Sequence, residues 1–418
     1  MSQKRTRSKS NYSRHQHNRR KNQTKKLNYK RLFFTIATLF ITIYLFNAGI
    51  SKITSKNKTP DIPALSQTIA QDTTISMSVV GDIMCHTTNF QDAYNKETKS
   101  YDFSPVFTDI ADYLKDADIC IGNLETTFAG KDVGYSGYPT FNTPEQLAQN
   151  LKDVGVDVVS TANNHSLDKR YDGLVSTLDE LDKVGISHTG TYKSEDEQNS
   201  ILIKDVNGIK IAFLSFTYGT NGIPVPKGKE YCINLIDKDF ILTQLNKTKE
   251  LSPDLICVSM HWGIEYKLKP NDEQKELADF LFKNGVDIIF GSHPHVLEPM
   301  EKRTLTLADG SKKNVFLIYS LGNFMSGQVA ENTMNSIILQ LKITKHPNNA
   351  VTIDSYSYIP IFMLDAGSAE QDRYKILDIN KNISAYEVGN ANSIITKEVY
   401  DKLKKSKEKI ENTLAPEI

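Results

Sequence analysis

Five times along the chain a short apolar run ends in a polar loop and then gives way to helix-forming sequence: ISMSVVGDIMCH, ADICIGNLET, GVDVVSTANNHSLD, LICVSMHWGIEY and GVDIIFGSHPHVLEP. Runs of this length, rich in Val and Ile, read as buried strands, and their alternation with helices requires a layered α/β domain. One helix fits TPEQLAQNLKDVG, with Thr143 as N-cap, Pro144 as first helical residue and Gly155 as the stop. A second fits LDKRYDGLVSTLDELDKVG, where Leu174, Leu178 and Leu181 share a face. The stretch ILIKDVNGIKIAFLSF reads as a hairpin turning at Asn207-Gly208. From NVFLIYSLGNF onward, TMNSIILQLKIT and VTIDSYSYIPIFML supply strands without long helices, which suggests a second sheet packed on the first. The expected fold class is therefore α/β, a layered β-sandwich flanked by helices.

Charge is distributed unevenly. Twelve of the 50 basic residues lie in the first 31 positions, which hold no acid, leaving 38 basic against 50 acidic side chains in the rest. Residues 32–50, LFFTIATLFITIYLFNAGI, are uncharged and at ~1.5 Å rise per residue come close to the ~30 Å hydrocarbon thickness. They are expected to form one transmembrane helix, with the basic arm 1–31 cytoplasmic and the main domain extracellular. A cleaved signal peptide is the competing reading, but such peptides carry a shorter apolar run of ~7–15 residues. Beside a membrane helix the arm serves topology and contact with anionic lipid, so no nucleic-acid partner is expected. Residues 51–74 contain two prolines and no sustained apolar period, as a linker would.

Residues 75–365 are expected to form the main domain, and 366–418 a C-terminal extension that ends in an amphipathic helix without a catalytic role. Cys85, Cys120, Cys232 and Cys257 form no CxxC pair. Cys120 and Cys257 sit inside strand-like runs and read as small core hydrophobes.

The strand ends carry the chemistry. They supply Asp82 and His86, then Asn123 and Glu125, then Asn163, Asn164, His165 and Asp168, then His261 and Glu265, then His293 and His295, and finally Asn323. A single histidine after a strand is usually a hydrogen-bonded loop residue. Five of the nine in the chain lie on these loops, however, among carboxylates and amides that together suit Mn, Fe or Zn. The Gly- and Pro-rich loop FTYGTNGIPVPKGKEY (216–231) is either a substrate wall, with Tyr218, Asn221 and Lys227 as contacts, or a surface excursion. Lys169 and Arg170 either meet an anionic ligand or form a solvated helix face.

Taken in order, VVGDIM, GNLE, TANNHSLD, HWGIEY, GSHPHVLEP and YSLGNF resemble the calcineurin-like metallophosphoesterase superfamily, and within it the CapA family of capsule-synthesis proteins associated with poly-γ-glutamate. The likeness covers roughly residues 75–365. It implies a metallo-dependent phosphatase-like fold in which Asp82, Glu125, Asn164, His261, His293 and His295 hold one or two divalent ions. It also implies that His165 is the catalytic acid. Two positions depart from the superfamily pattern: Met84 stands where a histidine is usual, with His86 as a stand-in, and Asn123 replaces a bridging aspartate.

The implied function is a membrane-anchored extracellular protein of poly-γ-glutamate synthesis or export, alongside membrane synthase subunits, with a metal-dependent hydrolytic or transfer activity. The attacked bond is left open between P–O and C–N. A non-catalytic export scaffold and a general extracellular metallophosphoesterase are the alternatives.

Overall fold

The computed structural model describes residues 71–306, 310–367 and 372–415, together with Thr38. The expected basic arm, the 32–50 helix and most of the linker lie outside the described residues. Among the described residues, no helix is long and apolar enough to cross a membrane.

Sixteen strands are present among the described residues: β1 Thr73–Ile83, β2 Tyr94–Asn95, β3 Ser100–Tyr101, β4 Ile119–Leu124, β5 Val158–Ser160, β6 Ser187–Thr189, β7 Leu202–Val206 and β8 Ile209–Thr217. They continue with β9 Leu255–His261, β10 Ile288–Ser292, β11 Leu297–Thr306, β12 Lys312–Leu321, β13 Asn323–Met325, β14 Asn335–Lys345, β15 Val351–Asp365 and β16 Tyr374–Asp378. One sheet runs β16-β15-β14-β1-β4-β5-β6, with β13 beside β1. The other runs β11-β12-β10-β9-β8-β7, and β2-β3 is a small separate ribbon.

The pleat sorts side chains between layers. Ile75, Met77 and Val79 of β1 join Leu255 and Cys257 of β9 and Ile288 and Phe290 of β10 in one apolar cluster between the sheets. The alternate residues face outward, as a period of two demands. Val80 and Cys120 meet Leu147, Leu151, Leu174, Leu178 and Leu181 from helices Gln146–Asp153 and Arg170–Val184. On the far side, Ile256, Val258 and Met260 meet Ile241, Leu245, Leu277 and Leu281 from helices Lys238–Glu250 and Asp272–Lys283. The result is a helix, sheet, sheet, helix sandwich.

Several local expectations hold. The β7–β8 hairpin turns at Asn207 and Gly208, both with positive φ, and Cys120 and Cys257 are buried in the core. Others change. The helix expected to be capped by Thr143 starts at Gln146, and the Thr143 hydroxyl pairs instead with that of Thr126 at 2.6 Å. The late strands β14, β15 and β16 do not build the second sheet; they extend the first, because β14 pairs antiparallel with β1 along Thr73–Val79. The second sheet is built from β7 to β12. Beyond residue 365, β16 lengthens the first sheet, and helix Lys397–Leu414 inserts Val399, Leu403, Ile410 and Leu414 into the cluster between the sheets. That segment is part of the core rather than an appendage.

Candidate metal centre

The parallel strands of both sheets end on one rim, and their last residues meet there. Asp82 is the next-to-last residue of β1, Asn123 and Glu125 come from the end of β4, and Asn163 to His165 follow β5. His261 is the last residue of β9, and His293 and His295 follow β10. Asp82 Oδ2 lies 3.1 Å from His295 Nδ1 and accepts the backbone N–H of His293 at 3.4 Å. Glu125 Oε1 is 3.6 Å from His261 Nε2 and 3.8 Å from His295 Nε2. Asn164 Oδ1 is 3.0 Å from His261 Nε2.

Three overlapping groups have the geometry to hold an ion: Glu125, His261 and His293; Asp82, Glu125 and His295; and Glu265, His293 and His295. All of these residues are buried except Glu265. His293 and His295 have φ of 96° and 60°, a left-handed conformation that costs on the order of 1–3 kcal/mol for a non-glycine residue. Strain of this kind persists where the surroundings fix a side chain's aim.

The electrostatics are those of a cluster lacking countercharge. Burial, reinforced by Asp82, holds the Glu125 carboxyl well above the usual carboxylate range. Burial pushes His293 down to about 3, with His295 and His165 adding to the effect, and pushes His261 well below the ordinary imidazole value. Both imidazoles are therefore neutral at physiological pH, the form that donates a lone pair. Glu125 Oε1 and His293 Nδ1 are buried with no hydrogen-bond partner. Orphaned buried polar atoms are costly, and Glu125 and His293 share a candidate ligand group in which a cation would offset that cost. The residues thus fit a divalent ion.

His165 stands beside this cluster. Its Nδ1 lies 2.7 Å from Asp168 Oδ2, and its ring packs edge-on to Phe141. Tyr218, at the start of the 216–231 loop, covers His293 with its ring at 4.5 Å, and Asn221 accepts from Asn164 Nδ2 at 3.1 Å. Lys227 is exposed and makes no hydrogen bond or ion pair with the cluster.

Two expected contributors lie next to the cluster with some of their polar atoms already engaged. His86 accepts from the backbone N–H of Gly327 through Nδ1 at 3.1 Å, and burial lowers its pKa to about 4. Asn323 pairs in register with Asp82; its amide nitrogen donates to Gln328 Oε1 and Thr333 O, both at 3.0 Å, and its Oδ1 is buried without a partner, which leaves that oxygen available to an ion.

Comparison with known proteins decides the family. Residues 76–328 match the family described as bacterial capsule synthesis protein PGA_cap. The PGA biosynthesis protein CapA of Bacillus subtilis is 30% identical over 330 residues, covering 78% of this chain and 80% of its own. This chain belongs to the PGA_cap family. The capsule biosynthesis protein CapA of Bacillus anthracis is 29% identical over 64% of this chain and 63% of its own. A solved calcineurin-like phosphoesterase of Bacillus subtilis aligns over 80% of this chain and 99% of its own, at 15% identity and a TM-score of 0.41.

In this PGA_cap protein, two supporting residues carry no signal that marks them in the sequence. Ser160 and Ser292 are the last residues of β5 and β10, and they bond Asn123 Oδ1 at 2.8 Å and His261 Nδ1 at 2.9 Å. Their position immediately before TANNH and HPH is the one feature that could have pointed to them.

Proposed function

We propose that this PGA_cap protein is anchored in the cell membrane by residues 32–50, with its main domain outside the cell. There it acts in the synthesis or export of poly-γ-glutamate or a related anionic polymer, beside the membrane subunits that make the chain. The reading further assigns it a metal-dependent hydrolytic or transfer step on that polymer. One observation carries the catalytic part: Glu125 and His293, each with a buried unpartnered atom, share a candidate ligand group with His261, next to a histidine held by its own carboxylate. The names of the Bacillus relatives support the polymer.

An ion would be held among Asp82, Glu125, Asn164, His261, His293 and His295. Once bound, a divalent ion supplies positive charge where negative charge develops on an attacked phosphoryl or carbonyl group. His165 provides the proton. With Nδ1–H directed at Asp168 Oδ2, the tautomer is fixed and Nε2 is the atom that exchanges a proton with the departing oxygen or nitrogen. Asn164 ties the 216–231 loop to the site through Asn221, and the Tyr218 ring shields His293 from water. The acidic excess of residues 32–418 offers a polyanion no long-range attraction, so recognition is local to the mouth of the site.

The test is His165→Ala in cells whose wild-type gene has been removed. Loss of polymer release, with the protein still present and still binding metal, supports catalysis. Unchanged yield and chain length would overturn it in favour of a non-catalytic export scaffold.

A further inference from the structure

We infer that Asn123 restricts this centre to a single ion, by donating hydrogen bonds into the carboxylate positions that a second ion would need. The inference rests on the proposed metal centre and deepens it.

The orientation of the amide is set by its neighbours. One end of the Asn123 side chain lies 2.8 Å from Asp82 Oδ1 and 3.3 Å from Glu125 Oε2, and the other lies 2.8 Å from Ser160 Oγ. A nitrogen at the first end can donate to both acids at once, which an oxygen there cannot. The nitrogen therefore occupies that end and donates to both acids, while the carbonyl accepts from Ser160. Asn123, Asp82 and Glu125 are all buried, so water does not compete for these bonds.

The consequence is stoichiometric. A pair of ions ~3.5–4 Å apart needs enough anionic oxygen between them to offset two adjacent charges. Asp82 and Glu125 each have one oxygen committed to the Asn123 amide, leaving Asp82 Oδ2 and Glu125 Oε1. Glu125 Oε1 is the atom near both His261 and His295, so the ligand groups built on those two histidines draw on a single oxygen, with the other oxygen held by the Asn123 amide. Asp82 Oδ2 is already engaged with His295 Nδ1.

Glu125 and His293, which carry the unpartnered atoms Oε1 and Nδ1, share a candidate ligand group with His261. Ligands ~2.1 Å from a tetrahedral ion sit roughly 3.4 Å apart, close to the 3.6 Å between Glu125 Oε1 and His261 Nε2. Asn164 Oδ1, 3.0 Å from His261 Nε2, is placed to complete the set. The protein thus holds one ion among Glu125, Asn164, His261 and His293. The Asn123 amide takes the place of a second positive charge between Asp82 and Glu125.

The experiment is equilibrium dialysis of the full-length chain against Mn(II), with elemental analysis and electron paramagnetic resonance. Wild type is expected to hold one ion per chain with an isolated-ion spectrum. Asn123→Asp, which replaces the donor with a third carboxylate, is expected to take up a second ion and show a spin-coupled pair. Two ions per wild-type chain would overturn the inference and leave the metal-centre reading intact, whereas no ion at all would overturn both. One ion in both proteins would remove Asn123 as the restricting residue. The wild-type measurement decides the stoichiometry even if the variant fails to fold.

Discussion

His165 Nδ1 lies 2.7 Å from Asp168 Oδ2, and the same carboxylate oxygen accepts the backbone N–H of Phe141, also at 2.7 Å. The bond to Phe141 fixes the carboxylate, and the carboxylate fixes the imidazole. Asp168→Asn retains an acceptor for Phe141 but removes the carboxylate that orients the His165 ring. Polymer processing in cells is expected to fall on the order of 10²-fold, with metal content unchanged. Full activity in this variant would take His165 out of proton transfer.

The closing histidines bear on metal retention. His293→Ala combined with His295→Ala removes a nitrogen from each of the three candidate ligand groups. Elemental analysis is expected to find the ion lost. Since an ion that binds only the folded state stabilises it, a chelator should lower the melting temperature of the wild type and leave the double variant unmoved. Equal metal content in the two proteins would contradict the assignment.

Glu298, three residues past His295, is buried, accepts from Gln274 Nε2 at 2.6 Å and has its other oxygen unpartnered. Burial raises its carboxyl from 4.5 to about 7, with the Gln274 bond opposing the shift. An acid whose pKa is raised by folding binds its proton more tightly in the folded state. The stability this provides is complete below about 4.5 and is lost as the pH rises through about 7. Glu298→Gln keeps an acceptor for Gln274 and removes the titration. Its melting temperature should match the wild type near pH 4.5 and exceed it above pH 7, by a stability difference of at most about 3 kcal/mol. Parallel curves for the two proteins would refute this.

Gly81 precedes the first candidate ligand at a close backbone approach. A Cβ there would lie 1.9 Å from the carbonyl oxygen of Gly322, in the segment that pairs β1 with β13. A backbone carbonyl cannot swing away as a long side chain can. Gly81→Ala is expected to cost at least the ~1–3 kcal/mol of an overpacked core and to displace Asp82 with it. Thermal denaturation together with metal content checks both effects. A variant with wild-type stability would show that the strand can shift without loss.

The residues of the site were legible because they sit where periodicity breaks. Asp82, Glu125, Asn164, His261, His293 and His295 each end or follow an apolar run, and such runs are recognisable from local composition alone. The hairpin at Asn207-Gly208 was legible for the same reason, since its turn depends on two adjacent residues. Partnerships between distant residues were not. Nothing local to residues 335–378 indicates that they extend the sheet of β1, because that pairing joins strands more than 250 positions apart.

His86 shows the same division. It lies four residues after Asp82, and its loop turns it to the backbone of Gly327 instead of into a ligand group. Asn123 shows it most clearly. Its identity alone established that a neutral amide stands among acids. Whether that amide offers its oxygen to a metal or its nitrogen to the carboxylates depends on atoms from β1, β4 and β5 that meet only in the folded chain. Two carboxylates on one side and the Ser160 hydroxyl on the other decide for the nitrogen, because a buried donor between two acids is stable and a third acceptor there is not.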